Sequence, residues 1–128
     1  MNARSDDLSR LQEIYDVVMQ TKRQMSALGF TKDRFVAPAT DADDLIAEGI
    51  MNRVLRVTEE AGKLSEDIAV EYGFDRHAVT GVRNRLAHAY GEVDRDIIWS
   101  VVTEDFDALL EACIRYCEDK GFDLGLAM

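Results

Sequence analysis

A single proline, Pro38, interrupts the 128 residues. Proline breaks helices by removing a backbone donor and crowding the preceding turn, so its scarcity leaves long helical segments open. Cysteine is almost as scarce. Cys113 and Cys117 cannot make a disulfide framework. Four residues apart and with no cluster of histidines, they read as two small buried apolar residues. No apolar run approaches the roughly 18 residues of a membrane span, and the polar stretch Met1 to Arg10 has no signal-peptide core. The expectation is a cytoplasmic protein without membrane contact. Positive charge is also short: 15 Lys and Arg stand against 25 Asp and Glu, a net charge of −10. Non-specific nucleic-acid binding rests on neutralising phosphates. A general affinity is therefore excluded, and any RNA contact must lie at a local basic site. The same charge favours solubility and can attract a basic partner.

What is present is helical periodicity, in a chain of one-domain length. Leu8, Leu11, Tyr15, Val18, Met25 and Leu28 predict a helix over 5–28, with Ser5 or Asp6 at its start and Gly29 at its stop. Residues 30–41 read as a connection with a short helical turn at Lys32 to Val36. Ile46, Ile50, Val54, Val57, Ala61, Leu64 and Ile68 predict a second helix over 42–70, opened by the carboxylates of Asp41 to Asp44. Gly49 and Gly62 inside it each cost roughly 1 kcal/mol against alanine, which points to close helix packing at both. Asp75 caps a third helix, 76–90, and Asp94 a fourth, 95–120, with 121–128 as a tail. No strand pattern or repeat occurs. The prediction is one all-α domain over 1–128, an antiparallel up-down bundle of four to five helices.

The third helix departs from the rest of the chain. A fifteen-residue window of this sequence should hold about three acids, yet Arg76 to Tyr90 holds none and carries Arg76, Arg83 and Arg85. On a helical wheel Val79, Val82, Leu86, Ala89 and Val93 fall within roughly 80°, which makes them the core stripe. Arg83 and Tyr90 share a flank of that stripe, while Asn84 and His88 point away from it. Arg83 and His88 stand about 140° apart on an ideal helix. To grip one group they need a helix that distorts or ends near His88, an arginine that curls round, or two copies of the motif pooled across a dimer interface.

Arginine with histidine suits a phosphate ester. Arginine holds phosphate with planar paired donors, and histidine moves protons near neutrality. RNA brings its own nucleophile, the 2′-hydroxyl, so cleavage needs little beyond a proton carrier and an anion clamp. Asn84 can orient the histidine or the ribose, and Tyr90 can bond phosphate or stack on a base. Nothing in the sequence calls for a cofactor or metal. His77 reads as a surface or capping residue, Glu60 as a solvated helix face and Trp99 as a packing contact.

The segment Gly81-Val82-Arg83-Asn84-Arg85-Leu86-Ala87-His88-Ala89-Tyr90, followed by Glu92-Val93-Asp94 and Ile97-Ile98-Trp99, resembles the HepT-like branch of the HEPN superfamily. The family motif, Arg, four residues, His, one residue, Tyr, is intact as Arg83, His88 and Tyr90, with Asn84 as the frequent polar residue after the arginine. The stretch Glu59-Glu60-Ala61-Gly62-Lys63-Leu64-Ser65 is similar to the family's second-helix segment, with Glu59 in place of its usual glycine. The likeness runs from about Ile46 to Tyr116. It implies a HEPN-like helical bundle that forms a homodimer, the two motifs meeting in a cleft. It also implies a metal-independent ribonuclease, the toxin of a type VII-like toxin–antitoxin pair. Its RNA chemistry would fall to Arg83 and His88, supported by Asn84, Arg85 and Tyr90. The partner of such toxins is a minimal nucleotidyltransferase antitoxin, which in this family can transfer AMP onto the motif tyrosine, here Tyr90. A non-catalytic module of the same fold, binding nucleotide or partner, is the alternative.

Overall fold

In a computed structural model the chain is an all-α helical bundle, with no strand among the described residues. The structure describes residues 3–74, 76–88 and 93–122, with side chains at 6–74, 79–84, 86 and 93–122. Its elements are α1 (Ala3–Leu28), α2 (Lys32–Val36), α3 (Asp41–Gly62), α4 (Glu66–Tyr72), α5 (Arg76–His88), α6 (Arg95–Ser100), a π-helical segment (Val101–Asp105) and α7 (Phe106–Lys120). Helix α3 packs on both α1 and α5, α7 packs on α1 and α4, and α2 lies between α3 and α6.

One buried cluster joins these helices. Leu11, Ile14 and Val18 of α1 meet Met51, Val54 and Val57 of α3 and Phe106, Cys113 and Tyr116 of α7. The stripe of α1 is shifted from the expected one. Ile14 and Val17 are buried, whereas Leu28, at the C-terminal end of α1, is 53% exposed. Both cysteines are free and buried. Burial, with Cys117 one turn away, pushes the Cys113 thiol up to about 12, the behaviour of an inert core thiol.

Two expected helices are corrected. The helix read over 42–70 is broken at Lys63–Ser65 into α3 and α4. A distant residue makes the break: the side chain of Asp7, itself buried, accepts from the backbone N–H of Ser65 at 2.9 Å. That bond ties the start of α4 to α1 and satisfies a donor that a helix start leaves free. Helix α4 then ends on Gly73, whose φ of +79° suits a residue without a Cβ. The Tyr72 hydroxyl donates to Asp119 at 2.9 Å and Arg115 donates to the Tyr72 carbonyl at 3.0 Å, fixing α4 to α7. Burial, then the Asp119 carboxylate, pushes the Tyr72 phenol up to about 12. The helix read over 95–120 is continuous in path but not in type. Asp94 caps it, its side chain accepting from Asp96 N–H, and the π-helical turn carries the Phe106 N–H to the Val101 carbonyl, five residues back.

The remaining expectations divide between packing partners. Thr40, rather than the Asp41 to Asp44 carboxylates, caps α3 by accepting from Asp43 N–H, while Asp41, Asp43 and Asp44 occupy the first turn. Trp99 lies with its ring 5.4 Å from Phe35, and Glu60 faces Arg10 at 3.9 Å. No described helix is long and apolar enough to cross a membrane.

Candidate functional site on α5

Helix α5 is set by its apolar stripe. Leu86 is 1% exposed, and Val79 and Val82 pack half-buried against the core. Full burial of a leucine contributes roughly 1.5–3 kcal/mol, so Leu86 fixes the rotation of the helix about its axis. Gly62 brings α5 close to α3. A Cβ at Gly62 would stand 3.9 Å from the Thr80 hydroxyl and 4.0 Å from a Val79 methyl.

This rotation turns Arg83 and Asn84 outward, and both are exposed. Among the described residues Arg83 has no ion pair and Asn84 no side-chain hydrogen bond. Arg10, Arg34, Arg56 and Arg95 each have a carboxylate at 2.7–3.9 Å. Among the described residues Arg83, like Arg23, is thus an exposed guanidinium without an ion pair, and its planar donors suit an external anion. The backbone of Arg85 and of His88 lies in α5. Tyr90, Ala89, Gly91 and Asp75 lie outside the described residues, as do the side chains of Arg76, His77, Arg85 and His88. The structure thus leaves both Arg83 and Asn84 exposed on α5, about 100° apart round the helix; their relation to the other motif side chains is not part of the described geometry.

Along the apolar stripe of α5 lies a cleft of about 270 Å³ whose walls include Thr58 of α3, Val79 and Val82 of α5, and Val101, Asp105 and Phe106. The Thr58 hydroxyl is committed inward, donating to the Leu55 carbonyl at 3.0 Å. Asp105 is the residue that the sequence did not single out. The acid-free window is acid-free only along the chain, since the π-helical segment brings this carboxylate to the cleft that Val82 lines. Asp105 is exposed, and partial desolvation at the cleft, then the neighbouring Glu104, raises its pKa. No spacing rule links residue 105 to residue 82, so the signal was absent from the sequence.

An all-helical bundle with an outward Arg-Asn pair on one short helix defines a class rather than a protein. The finer assignment comes from the family model for HepT-like ribonucleases, described as "Ribonuclease HepT-like", which matches residues 8–116. The chain belongs to that family. Neither the curated proteins nor the solved structures hold a match to it.

Proposed function

We propose that the protein is a metal-independent endoribonuclease and the toxin of a toxin–antitoxin pair. The observation that carries this reading is the match to the HepT-like ribonuclease family over residues 8–116. The outward Arg83 and Asn84 at the start of an intact Arg-x4-His-x-Tyr motif support it. In the mechanism, Arg83 clamps the scissile phosphate and His88 handles the protons. The 2′-oxygen attacks phosphorus and gives up its proton to a histidine. The bond to the 5′-oxygen breaks, and the leaving oxygen takes a proton. The products are a 2′,3′-cyclic phosphate and a 5′-hydroxyl. Asn84, Arg85 and Tyr90 hold the ribose, phosphate and base.

Arg83 and His88 stand about 140° apart on an ideal helix, which supports a composite site, formed where two copies bring their α5 helices together in a homodimer cleft. Two arginines and two histidines then share one phosphate path. A nucleotidyltransferase antitoxin silences the site by transferring AMP to Tyr90, whose added phosphate pairs with Arg83 or Arg85 and occupies the clamp.

The test is cleavage of RNA by purified protein in excess chelator. Wild type should cut and His88→Ala should not, with unchanged circular dichroism. Equal cutting by both would remove His88 from the chemistry. The net charge of −10 favours a second reading, a non-catalytic module that binds nucleotide or the nucleotidyltransferase. Tight partner binding with no cleavage across varied RNAs would establish that reading instead.

A further inference from the structure

A half-buried arginine without an ion pair among the described residues lies away from α5, on the opposite side of α3. Arg53 is half-buried, and among the described residues no carboxylate is within ion-pair reach of it. Its guanidinium donates instead to two neutral oxygens of α1, the Thr21 hydroxyl at 3.3 Å and the Gln24 side-chain carbonyl. The Thr21 hydroxyl proton is spent on the Val17 carbonyl at 2.7 Å, so Thr21 offers Arg53 a lone pair and no charge. Arg56, one turn on, is taken by Glu13 at 2.7 Å. Burial, then Arg56, lowers the pKa of Arg53, the sign expected of a cation short of compensation. In a chain with ten more acids than bases, a partly desolvated arginine without a carboxylate is an exception that the composition makes easy to avoid.

The guanidinium closes one end of a groove of about 220 Å³ between α1 and α3. Its walls are apolar: Met25 and Leu28 from α1, Ile46 and Ile50 from α3. Gly49 lies between those isoleucines, and a Cβ placed on it would meet nothing within 4 Å. The two glycines of α3 therefore differ. A Cβ on Gly62 would already be in contact with α5, whereas among the described residues nothing stands over Gly49. A helix-interior glycine costs stability, and here the cost leaves an open apolar slot beside an uncompensated cation.

We infer that this groove binds a small molecule that carries a carboxylate on a short apolar body, the carboxylate pairing with Arg53 and the body lying on Met25, Ile46 and Ile50 over Gly49. The charge balance selects a monoanion: one guanidinium matches one planar carboxylate in paired hydrogen bonds, whereas a doubly charged phosphate would leave a net negative charge in an already acidic protein. The size selects a small guest, because the volume lies below the roughly 300–1,000 Å³ of drug-sized sites. The site is independent of the ribonuclease reading.

The test uses the full chain with octanoate as the probe, followed by amide chemical shifts and thermal melting. Octanol supplies the apolar body without the charge. Octanoate should shift the amides of residues 21–28 and 46–53 saturably and raise the melting temperature, and octanol should bind at least tenfold more weakly. Arg53→Met, which keeps the length and removes the charge, should weaken octanoate at least tenfold. Gly49→Leu, which fills the slot, should abolish binding while melting no lower than wild type, so its loss of binding cannot come from unfolding. Octanoate shifts that are absent from those segments, or binding unchanged in Gly49→Leu, would overturn the assignment. Equal binding of octanol would do the same.

Discussion

Helix α3 has two faces that the molecule treats differently. Towards α5, Gly62 lets the motif helix approach until Val79 and Thr80 would touch a Cβ, and the core anchors α5 through Leu86. Towards the α1 groove, Gly49 is left uncovered and Arg53 is left without a carboxylate. The glycines are 13 residues apart in the sequence, which is about 140° round the helix. The same residue in the same helix therefore has two settings. On one face a side chain beyond Cβ would run into another helix of this chain, and on the other it would meet open space. Among the described residues each side also carries an arginine without an ion pair, exposed at Arg83 and half-buried at Arg53.

The largest effect expected from breaking this comparison lies on the α5 face. Positioned proton transfer contributes about 10²–10⁴-fold, so His88→Ala should lower the RNA cleavage rate by about that factor. Arg83→Ala should follow at about 10²-fold, the scale of losing one preorganised donor to developing charge. Arg53→Met, on the other face, should leave cleavage unchanged. Single-turnover rates on one RNA compare all three, and a cleavage defect in Arg53→Met matching that of Arg83→Ala would erase the distinction between the faces.

The same substitution at the two glycines sharpens the contrast in stability. Gly62→Leu must push side-chain atoms into Val79 and Thr80, and overpacking of that kind costs about 1–3 kcal/mol. Gly49→Leu meets open space and gains helix propensity, up to about 1 kcal/mol. Urea denaturation with unchanged m-values should show midpoints moving in opposite directions. Midpoints that both fell would mean that Gly49 is packed after all.

Much of this was legible in the sequence. Apolar periodicity located the buried stripes of α3, α5 and α7 and, in part, that of α1, and the wheel turned Asn84 outward, as the structure has it. The break at Lys63–Ser65 was not legible, because Leu64 and Ile68 keep the helical period through it. Its cause is Asp7, 58 residues away, and local patterns do not carry tertiary caps. The π-helical turn was hidden for a similar reason, since Val101, Val102 and Phe106 also fit an ordinary helix. Both glycines of α3 looked alike as sites of close packing, and only the position of α5 separates them. Asp105 and Arg53 were missed together, because whether a charge finds a partner depends on which helices meet.

Those two charges set the smallest prediction. Asp105, itself exposed, lines the α5-side cleft and the half-buried Arg53 the opposite groove, and partial desolvation disfavours the charged form of each, raising one pKa and lowering the other. For Asp105 the folded pKa lies above its ordinary 3.8. Between the unfolded and folded values the native state binds more protons, so stability falls as pH rises through that window. Above the window the penalty is complete, and below the unfolded value it is absent. Asp105→Asn removes the titration, so the variant should be slightly more stable than wild type at pH 7, and the difference should shrink as pH falls towards the unfolded value. Denaturation midpoints at several pH values measure it. A variant no more stable than wild type at pH 7 would mean that the Asp105 carboxylate finds compensation in the cleft, and the two faces of α3 would then differ in charge burial as well as in packing.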